Sequence, residues 1–476
     1  MSITAARVAH LVGPDFLDSS AMYAGLTASL RVIIGDGRIA PQTRLPSERA
    51  LADVLGVSRT TVTRAYAALV EEGFATARQG SGTTTRLPVD LRVITDRALA
   101  PRPEDPDLID LNCAAPAAPA GLMEAYQHAV ERLPGYMSGH GYYPAGLPEL
   151  QQAIAETYVE RGLPTDPRQI LVTAGALAAA AVVSQAVAPA EGVVVVENPV
   201  YPNATKALAH RGARMVAAPV DPGGWDMEAL AHTVASARPA LAYLIPDFQN
   251  PTGNVMSAAQ REEHATILRR HGTTPVVDEA HQGLALDDQT MPPPYAALSA
   301  EAVTIGSASK AFWGGLRLGW IRAPHDMVPA LTNARLSLDL GAPVVEQLAL
   351  VHLLSMRAQV LAGHRERLRR QRDTLIEEVR RLLPQWQFVP PTGGLALWCE
   401  LPQPVATRLA ATAERAGVSI SPGPIFAVNG GLERYVRVPW TRPEDDLIRA
   451  VAGLSQAWAS IDQGMVETGT QRITVA

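Results

Sequence analysis

Lysine and cysteine are both scarce in this chain of 476 residues. Among 41 lysines and arginines only Lys206 and Lys310 are lysines, so arginine is the general surface cation and either lysine is a candidate for amine chemistry. The two cysteines, Cys113 and Cys399, lack the spacing of metal ligands. Their number and spacing exclude a disulfide framework and a cysteine-based zinc site, and both are expected to be small core residues.

Long apolar runs and a secretory start are also missing. The apolar stretches at 193–196 and 241–245 have the length of strands, far short of the roughly 20 residues that a membrane-spanning helix needs. Residues 1–15 lack a basic start followed by an apolar block. We therefore expect a cytoplasmic protein with no membrane partner. With 47% hydrophobic and 18% charged residues, the composition predicts a globular chain of two or three domains.

The net charge of −6 excludes a uniformly basic nucleic-acid binder, but the charge is unevenly distributed. Residues 1–87 hold nine arginines and no lysine against seven acidic residues, which gives +2. The rest of the chain therefore carries −8.

Three regions differ in pattern. Residues 15–87 predict three helices followed by two short strands, and residues 88–107 mix proline with charge, as linkers do. From 108 to 462, strands alternate with helices, which predicts a parallel sheet covered by helices. Residues 463–476 are polar without a clear period and predict a flexible tail.

The N-terminal region contains two helix patterns joined by a glycine. Ser47 and Ser58 are the expected N-caps, and Gly56 ends the first helix. One face of the second helix is apolar at i, i+3, i+4, i+7 spacing: Val62, Ala65, Tyr66 and Leu69. Two short helices joined by a tight turn predict a helix-turn-helix. The segment FATARQGSGTTTR that follows predicts a wing with its turn at Gly82.

The exposed start of the second helix carries side chains that can bond base edges and phosphates in a major groove: Ser58, Arg59, Thr60, Thr61, Thr63 and Arg64. A small helical domain with solvated arginines is the alternative. The motifs G-x-I-x-P-x-T-x-L-P-S-x-R, L-G-V-S-R-T-T-V, A-Y-x-x-L-x-x-E-G and G-S-G-T resemble the winged helix-turn-helix of the GntR regulators over about 55 residues. The resemblance implies DNA contacts by Arg49, Arg59, Thr61 and the Gly82 turn, and a dimer on operator DNA.

Lys310 lies in SASKAFWGGLRLG between two predicted strands. Pyridoxal phosphate needs an amine for its aldehyde, donors for its phosphate and a carboxylate for its ring nitrogen. Ser307, Ser309 and Arg317 are suited to the phosphate. A surface lysine in a serine- and glycine-rich loop is the alternative for Lys310 taken alone.

Further candidates follow other predicted strands of the same series. Asp278 ends a strand, where its carboxylate could meet the ring nitrogen, and Asn250 could bond the ring hydroxyl oxygen. Tyr201 could stack on the ring. Gly175 and Ala176 follow another strand and open a helix, whose N–H groups can bind phosphate.

The motifs YYPAGLPEL, TAGAL, ENPVYPN, NPTG, VVDEAH, SASK and ERYVRVPW resemble the class I, fold-type I aminotransferases from about 108 to 460. The resemblance implies an α/β pyridoxal-phosphate-binding domain. In it, Lys310 forms the Schiff base, Asp278 pairs with the ring nitrogen, and Arg437, otherwise a surface cation, grips the α-carboxylate of an amino acid. The remaining cofactor residues that it implies are Asn250, Tyr201, Gly175, Ala176, Ser307, Ser309, Arg317 and, toward the partner subunit's phosphate, Tyr142.

One departure concerns the position three residues after Asp278, where the family usually has tyrosine and this chain has His281. A histidine can donate to the 3′ oxygen of the ring, and we expect it to carry charge near neutral pH. This difference leaves cofactor binding intact and makes efficient transamination doubtful.

The two domains together resemble the MocR regulators. The first hypothesis is a transcriptional regulator that holds pyridoxal phosphate at Lys310 and senses an amine, an amino acid or the cofactor itself, as a head-to-tail homodimer on operator DNA. The alternative is a working aminotransferase whose DNA-binding domain has little regulatory role.

Overall fold

A computed structural model describes residues 3–18, 21–35, 39, 43–78, 82–86, 108–188, 191–209, 212–221, 223–428 and 431–470. These residues form two compact units. One contains the described residues up to 86 together with 118–131, and the other contains 108–117 together with 132–470. The predicted linker, 88–107, lies outside the described residues, and the predicted domain boundaries stay predictions.

The N-terminal unit contains a helix-turn-helix and a wing. Its helices and strands up to residue 86 are α1 (Ala5–Val12), α2 (Met22–Gly35), α3 (Glu48–Leu55), α4 (Arg59–Glu71), β1 (Ala75–Arg78) and β2 (Gly82–Thr85). Strands β1 and β2 pair antiparallel to form the wing. The predicted helix-turn-helix and its wing are therefore confirmed.

The predicted caps begin and end the two helices of the motif. Ser47 Oγ accepts from the backbone N–H of Ala50 at 3.2 Å, and Ser58 Oγ accepts from that of Thr61 at 3.1 Å. Gly56 ends α3 with a φ of 68°, in the left-handed region that favours glycine. The apolar face of α4 is buried as its spacing predicts, which turns the start of the helix and its polar side chains toward solvent.

The remaining elements alternate along the chain. The strands are β3 (Ile109–Asp110), β4 (Ile170–Thr173), β5 (Val193–Asn198), β6 (Arg214–Asp221), β7 (Gly224–Trp225), β8 (Leu241–Leu244), β9 (Thr274–Asp278), β10 (Val303–Ser307), β11 (Gly319–Arg322), β12 (Ala396–Glu400), β13 (Val418–Ser419), β14 (Ser421–Pro422) and β15 (Tyr435–Pro439). The helices are α5 (Leu122–Arg132), α6 (Pro148–Glu160), α7 (Ala176–Val187), α8 (Pro202–Leu208), α9 (Met227–Ala237), α10 (Ala258–Arg270), α11 (Ala308–Ala311), α12 (Val328–Leu336), α13 (Val344–Ser355), α14 (Arg357–Leu382), α15 (Ala406–Arg415) and α16 (Glu444–Thr470).

Eight strands form the main sheet of the second unit in the order β4-β11-β10-β9-β8-β5-β6-β7. Neighbours from β10 to β6 are parallel, whereas β11 and β7 run antiparallel to theirs. The α/β class is confirmed, but the prediction of a wholly parallel sheet is wrong. The connection from β10 turns straight back into β11 without crossing the sheet, and a parallel return requires a crossover.

The parallel strands bring their carboxyl ends to one edge of the sheet. Asp278 and Ser307 end β9 and β10, while Tyr201 and Asn250 follow β5 and β8. Strand β4 runs in the same direction, because two antiparallel pairings relate it to β10. Gly175, which follows β4, therefore joins that edge.

A smaller three-stranded sheet in the order β12-β15-β14 packs with α14, α15 and α16 around a second apolar core. Strand β15 carries Arg437, and β3 pairs with β13, which brings the following residues 112–114 toward the same strand ends. The last helix extends to Thr470, eight residues beyond the predicted domain end at 462, and residues 471–476 lie outside the described part.

Within the described residues, no single helix is both long enough and apolar enough to cross a membrane. Helices α13 and α14, bent by 85° at their junction, meet these two requirements only when taken together.

Candidate functional site

A cavity of about 600 Å³ opens at the carboxyl ends of the parallel strands. Residues predicted from six separate segments of the chain share its wall: Ala176, Tyr201, Asn250, Asp278, His281, Ser307, Ser309, Lys310, Arg317 and Arg437. The sheet thus assembles residues that are up to 261 positions apart in the sequence (Ala176 to Arg437).

Asp278 is a buried carboxylate that strand β9 fixes at the cavity. Its Oδ2 accepts from Tyr243 Oη at 2.5 Å, and its Oδ1 accepts from the backbone N–H of Ala280 at 2.8 Å. Burial raises the pKa of Asp278, whereas these two hydrogen bonds and the nearby Lys310 act in the opposite direction. A cationic ring nitrogen would compensate the buried charge.

Lys310 lies in the short helix α11, immediately after β10. Its Nζ donates to the carbonyl oxygen of Ala114 at 2.8 Å. Burial lowers the pKa of the Lys310 amine, and the approach of Arg437 and Arg317 lowers it further. A lowered pKa increases the neutral, nucleophilic fraction of the amine that condensation with an aldehyde requires.

Four groups form a cup suited to a phosphate. Gly175 has a φ of 97° and precedes the N-terminus of α7, and Ser307 caps α11 by accepting from Ser309 N–H at 3.2 Å. The exposed Arg317 guanidinium reaches this loop, where Nη2 lies 3.5 Å from the oxygen of Ala174. A Cβ on Gly175 would lie 3.1 Å from the same Nη2. Glycine therefore allows the arginine to approach the helix N-terminus closely.

Arg437 is buried, although its position in the sequence also suited a surface cation. Its Nη1 donates to Asn250 Oδ1 at 3.2 Å, and its Nη2 donates to the carbonyl oxygen of Asn112. The guanidinium lies 4.9 Å from the centre of the Phe426 ring. Burial lowers the pKa of Arg437 to about 10, so the group stays cationic at neutral pH. Its buried Nε has no hydrogen-bond partner among the described residues.

A buried network holds the turn that carries Asn250. Glu197 accepts from Gln249 Nε2 at 3.0 Å and from the indole N–H of Trp225 at 2.7 Å. Gln249 in turn accepts from the backbone N–H of Thr252 at 3.0 Å. Tyr201, at the start of α8, is partly buried and accepts from Asn203 Nδ2 at 3.1 Å. These bonds hold the turn that carries Asn250 and the hydroxyl group of Tyr201. None of them uses the face of the Tyr201 ring.

His281 is neutral, so the expectation that it carries charge near neutral pH is wrong. Burial is the main cause and the nearby Lys310 a smaller one of the lowered pKa of His281, which is about 4. Nδ1 lies 3.0 Å from the carbonyl oxygen of Phe248 and must carry the proton of the neutral ring. In this neutral form Nε2 is an acceptor, and donation from His281 to the 3′ oxygen of a bound ring stays a prediction.

The depressed pKa of His281 predicts a specific pH dependence of stability. Between pH 7 and pH 5.5 the unfolded chain takes up a proton at this residue and the folded chain does not, so stability is lost as the pH falls. His281→Gln should lose about 1 kcal/mol less over this interval than the parent in denaturant unfolding. His271→Gln, which replaces an exposed histidine, is the control and should lose as much stability as the parent. Equal losses for the parent and His281→Gln would contradict the assignment.

Tyr142 does not line the cavity of its own chain. Its ring is 57% exposed and stacks on His140, with 5.7 Å between ring centres. A contact with the cofactor of a partner subunit stays a prediction.

The residues predicted to contact DNA differ in how they are held. Arg49 is exposed, and Arg59 forms an exposed pair with Glu48 at 3.3 Å. Thr63 bonds the backbone of its own helix, and Ser58 Oγ and Thr61 Oγ1 lie 2.9 Å apart. Thr60 and Gly82 are exposed. Arg64 instead lies 3.7 Å from the centre of the Tyr23 ring, where it packs α4 against α2.

Several cavity residues were not singled out from the sequence. Tyr243 lies inside the buried strand β8, and a tyrosine in an otherwise aliphatic strand is a usable signal because its hydroxyl needs a partner. Asn112 and Cys113 reach the cavity only through the pairing of β3 with β13. Lys206, predicted to lie exposed in a helix, is exposed in α8 but also lines the cavity.

These residues fit pyridoxal phosphate on the chemistry of the donor set. Lys310 supplies an amine with a lowered pKa, Asp278 supplies a buried carboxylate, and Arg317 supplies an open guanidinium beside a helix N-terminus. The guanidinium of Arg437, which lines the cavity next to Asn250, adds a cation that a carboxylate could pair with.

Comparison with known proteins gives two family matches. Residues 108–454 match the aminotransferases of class I and II, and residues 22–84 match the bacterial regulatory proteins of the gntR family. Among similar proteins, the uncharacterized HTH-type transcriptional regulator YdcR of Escherichia coli is 29% identical over 91% of this chain and 99% of its own. The HTH-type pyridoxine biosynthesis transcriptional regulator PdxR of Corynebacterium glutamicum is 28% identical over 81% of this chain and 85% of its own.

A solved structure shows the fold of the larger domain. LysN, the α-aminoadipate aminotransferase of Thermus thermophilus, complexed with N-(5′-phosphopyridoxyl)-L-leucine, superimposes with a TM-score of 0.70 at 26% identity. The match covers 75% of this chain and 93% of that protein.

Proposed function

This chain belongs to the aminotransferase class I and II family and carries a GntR-family domain in front of that fold, and from this combination we propose that it is a transcriptional regulator. It binds operator DNA through the N-terminal unit and senses a small amine, an amino acid or pyridoxal phosphate itself in the cavity. As a DNA-binding regulator it acts in the cytoplasm. The observation that carries the proposal is a complete cofactor cradle around Lys310 in the same chain as an exposed recognition helix.

The family fold is pyridoxal-phosphate-dependent. When bound, this cofactor supplies an aldehyde carbon that condenses with primary amines. Lys310 holds it covalently, Asp278 keeps the ring nitrogen protonated, and Arg317 binds its phosphate. Ser307 and the N-terminus of α7 complete the phosphate contacts. Arg437, oriented by Asn250 and by the Asn112 carbonyl, receives the carboxylate of an amino acid.

An effector changes DNA binding only if it binds two arrangements of the protein unequally. The cavity is lined by the strand ends of the main sheet and by Arg437 of β15 in the three-stranded sheet. Residues 112–114, which follow β3, also line it. A ligand that joins Arg437 to the cofactor would therefore connect the two sheets. We propose that this connection is what makes the ligand bind the two arrangements of the protein unequally.

Exposed apolar side chains on the second unit support a homodimer. Two adjoining segments carry them, since Arg335 Nη1 donates to the carbonyl oxygen of Pro144 at 2.9 Å. The exposed side chains are Met137, Tyr142, Leu336, Leu338 and Leu340. Several exposed apolar side chains on adjoining segments are typical of an interaction site. We propose that a second copy of the chain covers it, in the head-to-tail arrangement.

The alternative function is that of a working aminotransferase, and the shared position of Lys310, Asp278, Asn250 and Arg437 favours it. Steady-state turnover of an amino acid with a keto acid separates the two functions. Fast turnover with operator binding that ignores the amino acid would establish the enzyme. A spectral response without turnover, coupled to a change in operator binding, would establish the sensor.

The DNA-binding half of the proposal is tested with two exposed arginines that form equivalent pairs. Arg59 pairs with Glu48 at the start of α4, and Arg31 pairs with Glu72 near its other end, both at 3.3 Å. The helix is 13 residues long, so these ends lie about 20 Å apart. On fragments selected from a random DNA library, Arg59→Ala should weaken binding about tenfold and lower the salt slope by about 0.9.

Arg31→Ala is the matched control and should leave both quantities unchanged. Equal losses for the two variants would indicate unspecific attraction to DNA and would refute a recognition helix. Light scattering on the same complexes gives the number of chains bound per fragment, and a single chain would refute the dimer.

A further inference from the structure

Both lysines of this chain line the same cavity. Lys310 lies in α11 and Lys206 in α8, and every other basic residue counted with them is an arginine. Lys206 plays no part in the proposed cofactor cradle. Its side chain is exposed and has no hydrogen bond or ion pair within the described ranges of the chain.

The charges around the cavity leave Lys206 without an assigned counter-charge. Among the described residues, the acidic side chains that line the cavity are those of Asp110 and Asp278. Both carboxylates already accept hydrogen bonds from neighbouring groups. In the proposed function, Lys310 and Arg317 hold the cofactor and Arg437 holds one carboxylate. The ammonium group of Lys206, which also lines the cavity, therefore remains for a second anionic group on the ligand.

The position of Lys206 on its helix suits a group at the far end of a small ligand. Tyr201, which would stack on the cofactor ring, lies at the N-cap of α8, and Lys206 follows five residues later, about 7 Å along the helix axis. Pro202 and Ala204 of the same helix line the cavity, as do Ile425 and Phe426. This apolar lining accommodates methylene groups between two charged ends.

We propose that Lys206 binds the distal carboxylate of an acidic α-amino acid whose α-carboxylate lies on Arg437. The inference rests on the proposed function and names its effector class. A neutral side chain would leave the ammonium group hydrated with no gain, and a basic side chain would be repelled.

The test uses the full chain loaded with pyridoxal phosphate and follows the visible absorbance of the cofactor during titration. L-glutamate is compared with L-glutamine and L-aspartate with L-asparagine, because each pair differs only in the distal charge. The parent should bind the acids about tenfold more tightly than the amides, which corresponds to about 1.4 kcal/mol. Lys206→Met should abolish this preference, and Lys206→Arg should retain it.

Arg214, an exposed cation of strand β6 that does not line the cavity, provides the control, and Arg214→Met should keep the preference. An equal response to acids and amides, or a preference that survives Lys206→Met, overturns the inference and leaves the proposed function standing. A loss of cofactor affinity in Lys206→Met would assign Lys206 to the cofactor and also overturns it. No spectral response to any amine or amino acid would overturn amino-acid sensing together with this inference.

Discussion

Lys310→Ala is expected to abolish the covalent retention of pyridoxal phosphate and the visible absorbance band of the purified protein. The reason is that the only other lysine, Lys206, lies on α8 rather than beside Asp278 and the phosphate cup. Any change of operator binding on adding an effector should disappear with the band. Absorbance after extensive dialysis, together with operator titrations with and without cofactor, measures both effects.

Lys206→Ala is the matched control for this substitution, since it removes the second lysine of the same cavity and should keep the band. Operator binding by Lys310→Ala without effector should persist, because the N-terminal unit has its own apolar core. A parent protein that is colourless and does not take up added cofactor would refute the account of the cavity. A Lys310→Ala variant that still responds to effector would refute Lys310 as the sensing residue.

Arg437→Met should weaken the binding of amino acids about 100-fold while amines without a carboxylate bind as before. A hydrogen bond to a charged group contributes about 1.5–3 kcal/mol, and the guanidinium offers the carboxylate at least two donors that Met lacks. Losing about 3 kcal/mol corresponds to roughly 100-fold in affinity. Titration of the cofactor band with an amino acid and with the amine that lacks its carboxylate gives the comparison.

The substitution also removes the donors that Asn250 Oδ1 and the Asn112 carbonyl now receive. Thermal melting of the cofactor-loaded variant therefore accompanies the titrations, and Arg437→Lys, which keeps the charge but loses the planar fork, should fall between the parent and Arg437→Met. If amines and amino acids lose affinity equally, Arg437 maintains the shape of the site and does not bind the carboxylate.

Much of the site follows from the order of elements along the chain. Polar residues that follow strands of one α/β series converge because parallel strands share an edge. By this rule the sequence places Asp278, Asn250 and Lys310 at one edge, and the structure shows all three lining one cavity. The N-terminal motif was equally predictable, since Ser47 and Ser58 cap their helices through local contacts that involve only the next three residues.

Features that depend on residues far apart in the chain could not be obtained in this way. The neutral state of His281 results from burial and from its bond to Phe248, 33 residues away. Arg64 was predicted to contact DNA, and only the structure shows that its guanidinium also packs on the ring of Tyr23, which lies far from it in the sequence. Tyr243 lies in a strand whose other residues are apolar, so the sequence pattern did not single it out. The pairing of β8 with β9 places it beside Asp278.

The two domain types, the helix caps, the series of strands and the chemical identity of the groups at their ends can all be inferred from the amino-acid order. These properties depend on local hydrogen bonding and on periodicity, which are encoded within short segments. Which of these groups are desolvated, and which have partners, follows from the packing of the folded chain. This packing placed Arg437 in a buried setting with an unused donor, made His281 neutral, and turned Lys206 toward the cavity that holds Lys310. Desolvation and long-range contacts arise only when distant segments pack together, so no pattern along the chain specifies them.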